Sequence, residues 1–123
     1  MVEKDMEKKI LIVDEDAHLI SLMRTLFEHE GFQVVSVTKT GECIKYLQQG
    51  FQGIVLLDIM KDGWDTLQEI VDKNLQNKIN IFVFSPAPPL DKEHTSGSRS
   101  TVQQYATEVY TPEALVKTIS SLV

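Results

Sequence analysis

The residues of this chain that could do chemistry are carboxylates and a hydroxyl that directly follow apolar runs. Asp14, Glu15 and Asp16 follow Ile10-Leu11-Ile12-Val13, Asp58 follows Ile54-Val55-Leu56-Leu57, and Ser85 follows the run from Ile79 to Phe84. A short continuous apolar run reads as a strand covered on both faces, as in a parallel sheet. In such a sheet all strands end on one edge, where open α/β folds place their chemistry. That edge would gather Asp14 and Glu15 with Asp58 and Ser85. Three carboxylates so close repel, and at least one must hold its proton to unusually high pH unless a cation sits among them. Hard oxygen ligands with room for water suit Mg2+, which typically takes one or two carboxylates together with phosphate oxygens. A cation there would let Asp58 attack a phosphoryl group, a step that is mostly positioning and charge neutralisation. The plain alternative is that each acid merely closes a strand and opens a turn, as aspartate commonly does.

The elements that must position these residues follow in chain order. Residues 1–8 are a polar lead-in. After the first strand, Ala17 to Glu30 carries Leu19, Ile20, Met23, Leu26 and Phe27 on one helical face, with Asp16 as N-cap and Gly31 as the C′ glycine. Phe32 to Val37 is the second strand. Thr40 is placed to cap a short helix whose inward residues are Cys43, Ile44 and Leu47, and Gly50 ends it. The third strand is the run ending at Asp58. Trp64 to Leu75 then shows Leu67, Ile70, Val71 and Leu75 at helical spacing, and Ile79 to Phe84 is the fourth strand.

Residues 90–101 are nearly devoid of apolar side chains, so the fourth helix is expected to be short or irregular. Val102 to Thr107 is a poor fifth strand. Thr111-Pro112-Glu113 opens the last helix with a cap, a proline at the first helical position and an acid in the first turn. Its buried side is Leu115, Val116, Ile119 and Leu122. Repeated strand–helix alternation implies parallel strands, right-handed crossovers and helices on both faces. The expectation is an α/β fold, a doubly wound five-stranded parallel sheet, in a single domain over residues 9–123.

Composition narrows the function. With 123 residues the chain fits one domain with one substantial core. A formal charge of −6 and pI near 5.0 argue against a nucleic-acid surface, which needs a basic face. Cys43 is the only cysteine, which excludes an internal disulfide and reads as a small buried hydrophobe. No apolar run approaches ~18 residues, so no membrane span is expected. The charged opening lacks the apolar core of a signal peptide, making a cytoplasmic location the expectation. His18, His29 and His94 have no metal-ligand spacing and read as solvated. Trp64 reads as a helix-start aromatic or a partner contact, and residues 85–101 as a recognition loop or a divergent one.

Taken together, Ile10-Leu11-Ile12-Val13-Asp14-Glu15-Asp16, Leu56-Leu57-Asp58-Ile59-Met60 and Ser85 resemble the receiver domain of two-component response regulators, and the resemblance runs from Lys9 to Val123. It implies a flavodoxin-like strand order 2-1-3-4-5. It also implies a phospho-accepting aspartate, matched by Asp58, and a Mg2+ site of Asp14, Glu15, Asp58 and the backbone carbonyl of Met60. Ser85 matches the family's switch hydroxyl and Tyr105 its switch aromatic, two groups that move together on phosphorylation. Implied partners are a histidine kinase or phosphotransfer protein and an output partner or effector domain, with a homodimer also admitted and neither nucleic acid nor membrane engaged by this domain.

The departures from the family are specific. Where the family usually carries Met-Pro-x-Met-Asp-Gly, this chain has Lys61-Asp62-Gly63-Trp64-Asp65-Thr66. The family's Lys-Pro after strand five is matched by Glu108-Val109, and a carboxylate there would repel a phosphoryl group. Lys61 or Arg99 are candidate substitute cations. Two readings therefore compete: a working receiver, and a phosphorylation-independent pseudo-receiver acting as a protein-binding module. A Mg2+-dependent phosphatase or nucleotide-binding enzyme is a third, disfavoured because acids stand where a glycine-rich phosphate loop would follow strand one.

Overall fold

The computed structural model describes residues 8–58, 63–84, 102–106 and 111–121. Its elements are β1 (Lys9–Val13), α1 (Ala17–His29), β2 (Gln33–Val37), α2 (Thr40–Gln48), β3 (Gly53–Asp58), α3 (Gly63–Asp72), a 3-10 turn (Gln76–Lys78), β4 (Ile79–Phe84), β5 (Val102–Ala106) and α4 (Pro112–Ser120). The five strands are all parallel, in the order β2-β1-β3-β4-β5. This is the doubly wound sheet expected from the alternation, with the flavodoxin-like order.

Strand periodicity explains why the apolar runs are unbroken. Ile10, Ile12, Ile54 and Leu56 face one side, against Ile20, Met23 and Phe27 of α1 and Leu115, Val116 and Ile119 of α4. Leu11, Val13, Val55 and Leu57 face the other, against Cys43, Ile44 and Leu47 of α2 and Leu67 and Ile70 of α3. Both parities are buried, so neither can be polar. Burying each such side chain contributes about 1.5–3 kcal/mol before entropy is counted.

Three helices end alike. Gly31, at φ +91°, donates to the Glu28 carbonyl, and Phe32 donates to Phe27. Gly50, at φ +98°, donates to Leu47, with Phe51 donating to Tyr46. Asn74, at φ 57°, donates to Val71, with Leu75 donating to Ile70. Each is a Schellman closure, with the left-handed residue at C′ and an apolar residue folded back on the last turn. In α1 that contact is aromatic: the Phe27 and Phe32 rings meet edge-on, 5.1 Å apart.

Two expectations need correction. Thr40 does not cap α2 but is its first helical residue; Lys39 holds the cap position without a side-chain bond, and Glu42 reaches back to accept the Thr38 N–H at 3.2 Å. The helix foreseen over Trp64 to Leu75 is Gly63–Asp72, because Asn74 turns left-handed and sends the chain through Gln76–Lys78 into β4. The predicted caps Asp16 and Thr111 do act: Asp16 accepts from the His18 and Leu19 amides, and Thr111 from Ala114. The fourth helix, residues 86–101, and Leu122 lie outside the described residues.

Strand β2 is an edge. Gln33 donates to Lys8 and Asp14 donates to Val37, so residues 33, 35 and 37 turn their backbone to β1 while Val34 and Ser36 turn theirs outward. Arg24 covers that side: its guanidinium donates to the Val34 carbonyl at 3.1 Å and to Ser36 Oγ at 2.9 Å, and lies 3.6 Å from Glu28. An arginine on an exposed edge denies it to another strand.

Candidate functional site

Register brings the acids together. Val13 pairs with Leu57, so the next residues, Asp14 and Asp58, stand side by side where their strands end. They share parity, so both carboxylates lean to the same face of the sheet. Asp14 is held by its backbone, whose N–H donates to Val37 of β2 at 3.1 Å. Its Oδ1 accepts the Asp16 N–H at 2.9 Å, closing a short turn. Its Oδ2 is buried without a hydrogen-bond partner among the described residues, in a side chain only 5% exposed.

The cost appears in its protonation. Asp14 is pushed up from 3.8 to about 6, chiefly by burial, opposed by the Asp16 amide and reinforced by the Asp58 carboxylate beside it. The repulsion foreseen among the acids is therefore present. The charges that act on Asp14 are those of Asp58 and, more weakly, Asp16, while Glu15 is exposed at the same strand end. Among the described residues, no three His, Cys, Asp or Glu side chains converge to cage a metal. Two close carboxylates with one buried oxygen unpaired still fit Mg2+, which keeps several of its waters. Gln76 Oε1 and Ser120 Oγ are also buried without a hydrogen-bond partner among the described residues, but of the three atoms only the Asp14 oxygen belongs to a carboxylate, the group a hard cation would use.

Of the other predicted site residues, Tyr105 lies in β5 opposite Val83 of β4. Ser85 follows Phe84, which pairs with Asp58, but Ser85, Met60, Glu108, Lys61 and Arg99 lie outside the described residues. The histidines at 18 and 29 are exposed, as expected, and His94 lies outside the described residues. Cys43 is buried and its thiol is pushed up to about 12, first by burial and then by the Glu69 charge, so it is a packing residue. Sequence reasoning missed two features. One is the Asp14–Asp16 turn, for which an aspartate two residues before an amide was a usable local signal. The other is a hydroxyl pair between Thr40 and Thr66, 2.5 Å apart, for which there was none.

Comparison with known proteins agrees with this geometry. The family model described as the response regulator receiver domain matches residues 10–119. The chain belongs to the receiver domain family. A solved CheY-like receiver domain protein from Methanospirillum hungatei superposes with a TM-score of 0.81 at 34% identity, covering 93% of this chain and 92% of that one. The response regulator SaeR of Staphylococcus aureus is 27% identical over 117 residues, a match covering 92% of this chain and 49% of SaeR. The chain thus spans about half the length of the curated relatives it matches. TrrA from Thermotoga maritima, solved with Mg2+ and BeF, shares the fold with a TM-score of 0.72 at 20% identity, over 94% of this chain and 99% of that one.

This receiver domain is therefore a module of two-component signalling, in a family where phosphorylation on aspartate and Mg2+ binding are general. Receiver domains are signalling modules, generally not enzymes, that meet histidine kinases or phosphotransfer proteins and output domains. No helix among the described residues is long and apolar enough to cross a membrane.

Proposed function

We propose that residues 9–123, behind a polar lead-in, form one receiver unit in which Asp58 accepts a phosphoryl group from a histidine kinase or phosphotransfer protein. The observation that supports this best is the buried, unpaired Oδ2 of Asp14 beside Asp58. An Asp58 carboxylate oxygen attacks the phosphorus of the donor phosphohistidine; the P–O bond forms as the P–N bond breaks, and the imidazole leaves with the electron pair. Asp14 and Glu15, with the Met60 carbonyl and Asp58 itself, are the residues that would hold Mg2+. That ion supplies charge neutralisation around the transferring group. Asp14 contributes a pre-placed carboxylate whose orientation the Asp16 amide fixes. Ser85 is the hydroxyl expected to turn toward the new phosphoryl oxygens, with Tyr105 following.

On this reading the domain acts as a cytoplasmic signalling module rather than an enzyme, and passes its state to an output partner, an effector domain or a second copy. Its net charge of −6 supports a protein partner over nucleic acid or an anionic membrane. Glu108 favours a second reading, in which the acids persist but the phosphoryl group is not retained and the domain binds its partner unphosphorylated.

The test is Mg2+ with a small acyl-phosphate donor or beryllofluoride, followed by intact mass and amide NMR. Mg2+-dependent modification that disappears in Asp58→Asn is expected. No response at millimolar donor would overturn the first reading, and no Mg2+-induced shift near Asp14 would make the acid cluster vestigial. Steady phosphate release from a substrate panel would instead indicate an enzyme.

A further inference from the structure

We propose that Thr66 is a positioning residue for Asp58, acting through a hydroxyl latch to Thr40 that ties the start of α3 to the start of α2. The inference rests on the phospho-accepting reading above. Thr66 is 1% exposed, in the first turn of α3, and its Oγ1 lies 2.5 Å from Thr40 Oγ1, the first residue of α2. Few buried polar side chains occur here: among the described residues only Asp14 and Thr66 are both polar or charged and buried. A hydroxyl so placed must be hydrogen-bonded, and this pair directs the bond across a helix–helix seam.

The seam's geometry aims the latch at the site. Both helices run antiparallel to the strands they connect, so both begin at the edge where Asp14 and Asp58 end. They therefore lie parallel to each other and face along a shared seam. Thr40 meets Thr66, and one turn on the Glu69 charge acts on the Cys43 thiol. Leu47 and Ile70 then join the same apolar layer. The latch is the end of the seam nearest the carboxylates.

It also closes a ring. Asp14 donates its N–H to Val37; three residues on, Thr40 meets Thr66; three residues back along α3 is Gly63; and five residues before that is Asp58, beside Asp14 in register. Every link in the ring except the hydroxyl pair is covalent chain or backbone pairing within the sheet. Opening the latch removes one tie at the start of α3, the helix that follows Asp58 in the chain. Supports one layer behind metal-binding groups commonly tune affinity in this way.

The test uses the full chain and its single tryptophan, Trp64, two residues from the latch. Wild type, Thr66→Ser and the double variant Thr40→Ala with Thr66→Val are titrated with Mg2+ by Trp64 emission. Their rate of modification by an acyl-phosphate donor and their thermal midpoints are measured alongside. The double variant removes both hydroxyls of the pair, so neither is left facing an apolar side chain, and it is expected to fold. It should bind Mg2+ and take up phosphoryl groups about three- to tenfold less well, while Thr66→Ser stays within about twofold of wild type. A double variant with wild-type affinity and rate, whatever its midpoint, overturns the proposal and leaves the phospho-accepting reading standing. If wild type itself neither binds Mg2+ nor is modified, that reading falls and the latch's role falls with it. Should the double variant not fold, Thr40→Ala alone is judged by the same outcomes.

Discussion

The two ends of the sheet are finished in opposite ways. Where the strands begin, α1, α2 and α3 all end in Schellman closures, with Gly31, Gly50 and Asn74 at the left-handed position and Phe32, Phe51 and Leu75 folded back onto the preceding turn. Helix-end carbonyls find donors there, and an apolar contact seals each turn. Where the strands finish, two carboxylates stand in register, one with a buried oxygen that has no partner among the described residues and a proton held up to about 6. Gln76 Oε1 and Ser120 Oγ are buried and unpartnered as well, but among these atoms only the Asp14 oxygen is a carboxylate set beside a second carboxylate. The contrast separates an end closed by satisfied turns from an end that carries charge.

The closed end should be the easier to break. Phe27→Ala removes a fully buried ring that packs in the core and on Phe32, and should destabilise the domain by about 3–5 kcal/mol in urea unfolding. Gly53→Ala comes next. At φ +146° an added Cβ would stand 2.5 Å from the Lys9 carbonyl oxygen, so β1 and β3 must shift; a loss of about 2 kcal/mol is expected, with the fold retained.

The acidic end should behave with the opposite sign. Because the fold raises Asp14 above its ordinary value, the folded state binds the proton more tightly than the unfolded chain. Asp14's contribution is therefore full below about pH 4 and is lost as pH rises through about 6. Without metal, urea midpoints of wild type relative to Asp14→Asn should fall across that window, by an amount on the order of 2 kcal/mol. Mg2+ should restore the difference, and a flat difference would show that the fold does not raise Asp14. The smallest effect is expected at Arg24→Ala, about 1 kcal/mol from its hydrogen bonds. Its distinguishing sign is concentration-dependent association through the uncovered edge of β2, read by light scattering.

Much of this architecture was legible in the sequence because its signals are local. Four-residue apolar runs cannot be helices with one wet face, and Gly31 and Gly50 could be placed as helix ends from spacing alone. That Asp14 and Asp58 would meet was legible because each follows such a run, and parallel strands end on one edge. Thr40 misled because a threonine before a helical pattern looks like a cap. Its hydroxyl instead turns to Thr66, 26 residues away, and no local pattern encodes that preference. Asn74 likewise gave no warning that it would adopt φ 57° and shorten α3.

By itself, then, the sequence determined the alternation of strands and helices, the parity of their buried faces and the acids at the strand ends. These follow from hydrophobic periodicity and from the short reach of caps and turns. Only the tertiary structure decided that Asp14 buries one oxygen unpaired, that Thr66 finds Thr40, and that Arg24 wraps the edge at Val34 and Ser36. Each depends on which groups meet across elements after packing, and a buried polar group's energy is set by that partner rather than by its neighbours in the chain.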